Sequence, residues 1–334
     1  MSSLLSAFTL FMSLLVEAFP FLLIGVLLSS ALRFLVDERT FVRWLPQNPL
    51  AGALAGSTFG FLFPACECGN VPVARRLLIQ GAPTSVAIGF LLAAPTVNPI
   101  VIWATWTAFR DQPEIVVLRV VFSLTISVAM ALLFSSQKDL RALLQPSIAN
   151  ALPQTVTGSQ QHPLLQGGTY VLGGTQLQTF ERMAYQTAIA AEMAIPDELN
   201  ERFHLFLENT FQELRDLGTV LILGSAIAAT IQVFIPREII LSLGQGPVTS
   251  IVAMMVLAAV VSICSTVDSF FALSFAGTFT SGALLAFLVY GPMIDLKAIG
   301  MMLSVFKART IFLMFLLITQ FTFLGTLFVN FHLS

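Results

Sequence analysis

Residues 17–36, 50–65, 84–108, 115–135, 217–235, 248–264, 281–294 and 309–331 are runs of side chains too apolar to rest in water. A helix rising about 1.5 Å per residue needs roughly 17 to 25 such residues to cross a hydrocarbon core about 30 Å thick. The runs therefore predict an all-α polytopic membrane protein with about eight transmembrane helices, two of them short. Charge agrees, since only 10% of the 334 residues are charged, against about 25% in soluble domains. The opening MSSLLSAFTL has neither a basic n-region nor a small-residue cleavage site, so the amino terminus is expected to be retained. A net charge of -2 without a basic cluster excludes nucleic acid as a partner.

The second half of the chain echoes the first. A shift of roughly 200 residues brings Glu17 onto Asp216, Gly25 onto Gly224, Pro49 onto Pro247, Cys66 onto Cys264, Asn70 onto Asp268, Pro95 onto Pro292 and Asn98 onto Asp295. We read residues 1–136 as a first transmembrane repeat and 137–197 as a flexible linker rich in Gln, Thr, Gly and Pro. Residues 198–334 then form an amphipathic helix followed by the second repeat. The amphipathic stretch sets Phe203, Phe206, Leu207, Thr210, Phe211 and Leu214 on one face, and is expected to lie on the membrane surface. Its counterpart, residues 2–16, either lies in the interface or crosses. With neither copy crossing, two homologous four-span halves run parallel; an odd count would invert them. Arg33, Arg39, Arg43, Arg110, Arg237, Lys297, Lys307 and Arg309 share one side of the four-plus-four arrangement, which the positive-inside rule makes cytoplasmic, while Lys138 and Arg141 fall opposite.

Polar residues interrupt the spans at matching places. CECGN lies between Pro64 and Pro72, and the second-half break runs from Cys264 to Asp268. AAPTVNP breaks the third span around Asn98, and YGPMID breaks its counterpart before Asp295. Proline removes a backbone donor, and freed backbone groups are tolerated at membrane depth only inside protein or beside water. Broken helices in corresponding positions point to a transporter's binding site. Cys66, Cys68, Asn70, Asn98, Cys264, Asp268 and Asp295 are the candidate substrate-binding residues, and Glu67, Asp268 and Asp295 the candidate proton-coupling acids. The plainer alternatives are that the cysteines are small buried packing groups, and that the acids sit at wet helix ends or that Asp295 pairs with Lys297. Arg75 and Arg76 either attract an anion or snorkel to head groups, Glu17 and Asp216 mark span beginnings, and the GAP at Gly81, Ala82 and Pro83 reverses the chain. His162, His204 and His332 all lie away from the breaks, so no metal is expected.

The residues CECGNVPVARRLLIQGAPTSVAIGFLLAAPTVNP, with CSTVDSFFALSFAGTFTSGALLAFLVYGPMID as their echo, resemble the bacterial predicted-permease family of YraQ-like proteins and ArsP organoarsenical efflux permeases. The resemblance covers nearly all of the membrane part and implies a multi-pass inner-membrane permease. It leaves the substrate open, since only one branch is tied to trivalent organoarsenicals.

The expectation is a secondary transporter, not an enzyme, moving a small molecule or ion across the bilayer without a cofactor. Thiolates suit soft ions, so a thiophilic species such as a trivalent organoarsenical is the first candidate for efflux, with proton or ion coupling. No Walker motif is present, so ATP-driven transport would need a partner protein. The alternatives are a membrane subunit of a larger complex, a homo-oligomer, and a membrane thiol oxidoreductase, for which Cys-x-Cys is poorly spaced.

Overall fold

The computed structural model describes residues 2–35, 45–46, 48–62, 67–136, 143–151, 199–234 and 246–332. Pro64, Cys66 and most of the expected linker lie outside them. Among the described residues every named element is a helix: α1 (Ser2–Leu35), α2 (Pro49–Leu62), α3 (Glu67–Ile79), α4 (Thr84–Ala93), α5 (Pro99–Ala108), α6 (Pro113–Ser135) and α7 (Pro146–Ala151). After these come α8 (Leu199–Phe234), α9 (Pro247–Val261), α10 (Asp268–Leu273), α11 (Ser281–Met293), α12 (Leu296–Met302) and α13 (Ala308–His332). Four stretches are long and apolar enough to cross a membrane: Leu5–Ile24, Pro113–Ser135, Ser281–Met302 and Ala308–His332. The helices α2, α4, α5 and α9 are apolar but shorter.

Of the two helices that open the expected halves, the second departs from the sequence reading, while for residues 2–16 that reading had left both outcomes open. Residues 2–16 are continuous with 17–35 in the 34-residue α1, and the amphipathic stretch is continuous with the span after it in the 36-residue α8. Neither forms a separate surface helix: in α8 no proline or glycine pair interrupts 203–217 and the 3.6-residue pattern runs on, and α1 continues through Pro20. At about 1.5 Å per residue each is some 50 Å long. They pack against each other in opposite directions. The Thr210 hydroxyl meets Ser30 at 3.0 Å near one end, and Leu14 shares a small apolar cluster with Ala229 near the other.

Glycine sets the closest helix contact. Gly52, Gly56 and Gly60 fall four residues apart on one face of α2, and their missing side chains let α4 press onto the backbone. A Cβ on Gly60 would stand 2.8 Å from the Ala94 nitrogen, one on Gly89 would stand 2.8 Å from the Ala53 carbonyl, and one on Gly56 would collide with the Val86 carbonyl. Close backbone approach through small residues is how helices gain packing energy where lipid removes the hydrophobic incentive. Contact positions climb together, from Gly52 beside Ser85 to Gly60 beside Ala94, so α2 and α4 run parallel. In the same way Ser250 reaches Thr280 at 3.5 Å and Gly291 faces Ala258, so α9 and α11 run parallel. Simple alternation of the expected spans would have made each pair antiparallel.

Parallel neighbours need a return segment between them, and α3 and α10 supply it. The CECGN stretch, expected to be broken, is helical from Glu67, with Pro72 inside α3. Proline is accepted there within the second turn, where it forfeits one backbone bond. The GAP reversal is as expected. Gly81 adopts φ 84, its N–H donates to Leu78 and that of Ala82 to Leu77, which satisfies the last carbonyls of α3.

The centre of the bundle is α4 and α11, buried on every side from Ser85 to Ala93 and from Gly282 to Tyr290. The helix α13 crosses α11 in the opposite direction, with Asn330 accepting from the Gly282 N–H at 3.0 Å and Thr319 bonding Tyr290 at 3.0 Å. Its outer face exposes Phe312, Leu316, Leu324 and Phe328, an apolar surface of the kind that meets lipid.

Candidate functional site

Each expected break positions a polar side chain. Between α4 and α5, Asn98 folds back so that its Oδ1 accepts from the Val101 N–H at 2.9 Å and its Nδ2 donates to Ala94 at 3.0 Å. Pro99 follows at the first helical position, where its missing donor costs nothing. Both polar ends of Asn98 are thus spent on the backbone. Asp295 caps α12 in the same manner, accepting from the Ala298 N–H. It lies buried within electrostatic reach of Lys297, itself 2% exposed. The sequence alternative of an Asp295–Lys297 partnership therefore coexists with a capping role.

The break after α9 is sharper. Ser262 takes the left-handed conformation with φ 48, and its hydroxyl accepts from the Leu296 N–H at 3.2 Å, tying this break to the start of α12. Six residues later Asp268 opens α10, its N–H bonded to the Cys264 carbonyl at 3.0 Å. The Asp268 carboxylate is 2% exposed and faces a residue that the sequence reading passed over, Arg119 on α6. The Arg119 Nη2 donates to Asp268 Oδ2 at 2.7 Å and Nη1 to Oδ1 at 3.1 Å, a two-pronged pair. Nη1 also lies 2.9 Å from the Thr105 hydroxyl and 2.9 Å from that of Ser269, and Ser269 donates to Asp268 at 3.0 Å. Four residues from α5, α6 and α10 are thereby closed into one buried network. Its signal in the sequence was a lone arginine inside the apolar run 115–135, and an ionisable group in a span is a functional candidate by default.

Asn70 behaves differently. It is fully buried on α3, yet neither its Oδ1 nor its Nδ2 has a hydrogen-bond partner. Buried amides are almost always bonded, and leaving one unmet costs about 1–3 kcal/mol. Cys68, two residues before it, and Cys264 from the other break are both buried and in no disulfide, and both belong to one packed cluster with Leu77, Ala298 and Met301. The fold therefore gathers thiols from two distant breaks, with α12 packed against α3 beside them.

Other expected residues stand apart. Cys66 and the Glu67 side chain lie outside the described residues, as does that of Glu17. Asp216 is exposed on α8, and Arg75 and Arg76 are partly buried on α3. Among the described residues no group of His, Cys, Asp and Glu is arranged to hold a metal ion.

The chain is similar along most of its length to proteins of several organisms. It is 36% identical to the UPF0718 protein YcgR of Bacillus subtilis over 331 residues, 98% of each chain. It is 31% identical over 310 residues, 93% of this chain and 90% of the other, to a Streptococcus mutans protein named as a two-component membrane permease complex subunit. The UPF0718 protein MJ0584 of Methanocaldococcus jannaschii is 23% identical over 243 residues, 66% of this chain and 65% of its own. No solved structure matches the chain. Residues 3–331 match the ArsP_1 family, described as a predicted permease, and with its apolar spans and buried polar breaks this chain is a membrane protein belonging to that family.

Proposed function

We propose that this protein is a multi-pass permease of the cell inner membrane, a secondary transporter whose solute sits where α3, α10 and α12 carry the interrupted segments. The observation that carries the reading is Asn70, a fully buried amide with both ends unmet, on the same helix as Cys68, which shares a packed cluster with Cys264. A solute bearing polar groups would satisfy that amide, and soft thiols favour a thiophilic centre. A trivalent organoarsenical exported from the cell is the first solute to try. Coupling by protons through Asp268 or Asp295 follows from their burial beside a cation, since each pair changes charge when the acid is protonated.

The order of helices favours two homologous halves. From α1 to α6 and from α8 to α13 the elements correspond one to one, leaving out the short α7, and their starts are offset by roughly 200 residues. Helix directions favour inverted halves, with an odd number of crossings in each, over the parallel four-plus-four reading. The helix α1 opposes its counterpart α8, while α2 runs with α4 and α9 with α11. Inversion also improves the charge balance. Arg33, Arg39, Arg43, Lys138, Arg141, Lys307 and Arg309 then share the linker's side and Arg110 and Arg237 the other, making the linker cytoplasmic.

Everted vesicles supplied externally with a panel of solutes, led by a trivalent methylated arsenical, test the reading. Proton-driven uptake that falls at least about tenfold, a loss of some 1.4 kcal/mol, in Cys68→Ser, Cys264→Ser or Asn70→Ala supports it. Uptake of a solute that none of the three substitutions changes would move the site elsewhere.

A second reading comes from the Streptococcus mutans relative, whose name makes it one subunit of a two-component complex. On this reading the chain needs a second protein to transport. Activity of the purified chain alone in liposomes would dismiss it.

A further inference from the structure

The pair formed by Arg119 and Asp268 is more than a brace between α6 and α10. Arg119 is 1% exposed, but its guanidinium is only partly used, since Nε has no partner while Nη1 is shared among Thr105, Asp268 and Ser269. Beside it the Ser265 hydroxyl is buried and unmet, although the Ser265 carbonyl lies 3.5 Å from Nη2. One and two turns along the same face of α6, Ser123 and Ser127 are also fully buried, and neither hydroxyl has a partner. An unbonded Nε and an unmet serine hydroxyl on a residue beside one buried cation describe a site with more capacity for an anion than Asp268 consumes.

We propose that Arg119, with the hydroxyls of Ser265 and Ser269, binds a small anion or the anionic group of the transported solute, and that Asp268 is the internal carboxylate which this anion displaces. The planar fork of a guanidinium takes carboxylates and oxyanions in the same two-pronged geometry it now gives Asp268. Asp268 leads the six-residue α10, which packs on α5 and α11.

Charge conservation makes the exchange a coupled one. The paired site is neutral. When an anion takes Arg119, the Asp268 carboxylate would be left ionised and unpaired inside protein, far costlier than its neutral acid. It therefore takes one proton from solution, and the site stays neutral with the anion on Arg119 and a protonated Asp268. Among the described residues the other buried charges, Asp295 and Lys297, sit at the start of α12 and lie within electrostatic reach of each other. The helices α2, α4 and α5 carry no ionisable side chain, α11 offers Tyr290 bonded to Thr319, and Glu114, Arg309 and His332 on α6 and α13 are exposed. The guanidinium lies inside the helix bundle, so the ligand is a free anion or solute group and not a lipid head group.

The inference rests on the permease reading for its purpose, but its test needs no transport. Purified full-length protein in an uncharged maltoside detergent is titrated with acetate, chloride and inorganic phosphate, while a pH dye in weak buffer reads proton uptake. The expected result is saturable binding of at least one anion, one proton taken up per anion, and affinity falling about tenfold per unit rise in pH above neutrality. Asp268→Asn, with its competitor neutralised, binds the same anion about tenfold tighter, takes up no proton and shows no pH dependence. Asp268→Asn combined with Arg119→Gln folds, since both charges are gone, and binds none of the three. Binding without proton uptake, or an Asp268→Asn chain no better than the parent, overturns the proposal and leaves the pair a structural clamp. Anion binding with proton uptake in a chain that moves no solute in vesicles would uphold this site while removing the permease reading.

Discussion

Asn70 and Asn98 are the same residue type at two breaks, and their surroundings give them opposite value. Asn98 spends its amide on capping α5, so Asn98→Ala is expected to lower stability by about 1 kcal/mol. Asn70 has nothing to lose, so Asn70→Leu is expected to leave stability unchanged or to raise it by about 1 kcal/mol. Thermal unfolding in detergent separates the two, and equal losses would mean that Asn70 holds a bond in the resting protein. The buried ion pair yields a second contrast. Arg119→Leu alone strands Asp268 and is expected to cost about 3–5 kcal/mol, whereas Arg119→Leu with Asp268→Leu recovers most of that loss. Failure of the double variant to recover would show that the hydroxyls of Thr105 and Ser269 need the charges to fold. Asp268 was legible because a carboxylate in an apolar context stands out. Arg119 carries the same signal, but it sits in an unbroken helix with no neighbouring proline or glycine to mark a site.

Glycine decides element packing. The stripe Gly52, Gly56 and Gly60 is visible in the sequence as a small-residue spacing, but which helix it receives is not. Gly56→Ala pushes a methyl into the Val86 carbonyl, and the backbone must part there. A loss of about 1–3 kcal/mol is expected, the usual cost of overpacking. Gly218→Ala on α8 is the control, since a Cβ there meets nothing within 4 Å. It is expected to gain up to about 1 kcal/mol from helix propensity. Unfolding midpoints of the two variants check this, and a neutral Gly56→Ala would contradict the close α2–α4 contact. The lengths of α1 and α8 teach a related lesson. An amphipathic run and an apolar run look like two helices by composition, yet nothing between residues 203 and 234 interrupts the backbone ladder.

For the whole molecule, direction matters more than count. Inverted halves place the amino terminus and the linker on opposite faces, and parallel halves place them on the same face. With the cysteines at 66, 68 and 264 replaced by serine, Ser3→Cys is expected to react with a membrane-impermeant maleimide in intact cells. Ser159→Cys in the linker is expected to react only after the membrane is opened. Labelling of both from one face would restore the parallel arrangement. Lys138 and Arg141, which opposed the four-plus-four reading, agree with the inverted one, under which the linker would be cytoplasmic.

Membrane residence, the helical class and the break points at Asn98, Asp295 and Gly81 were set by the sequence itself. Each depends on local chemistry: apolar run length, a proline without its N–H, a glycine free to take positive φ. The partner of Asp268 lies 149 residues away, the opposed pairing of α1 with α8 joins residues 180 apart, and the parallel run of α2 with α4 needs α3 folded between them. Only the tertiary structure decided these. A helical pattern states which face is apolar, but not which neighbour covers it, nor in which direction that neighbour runs.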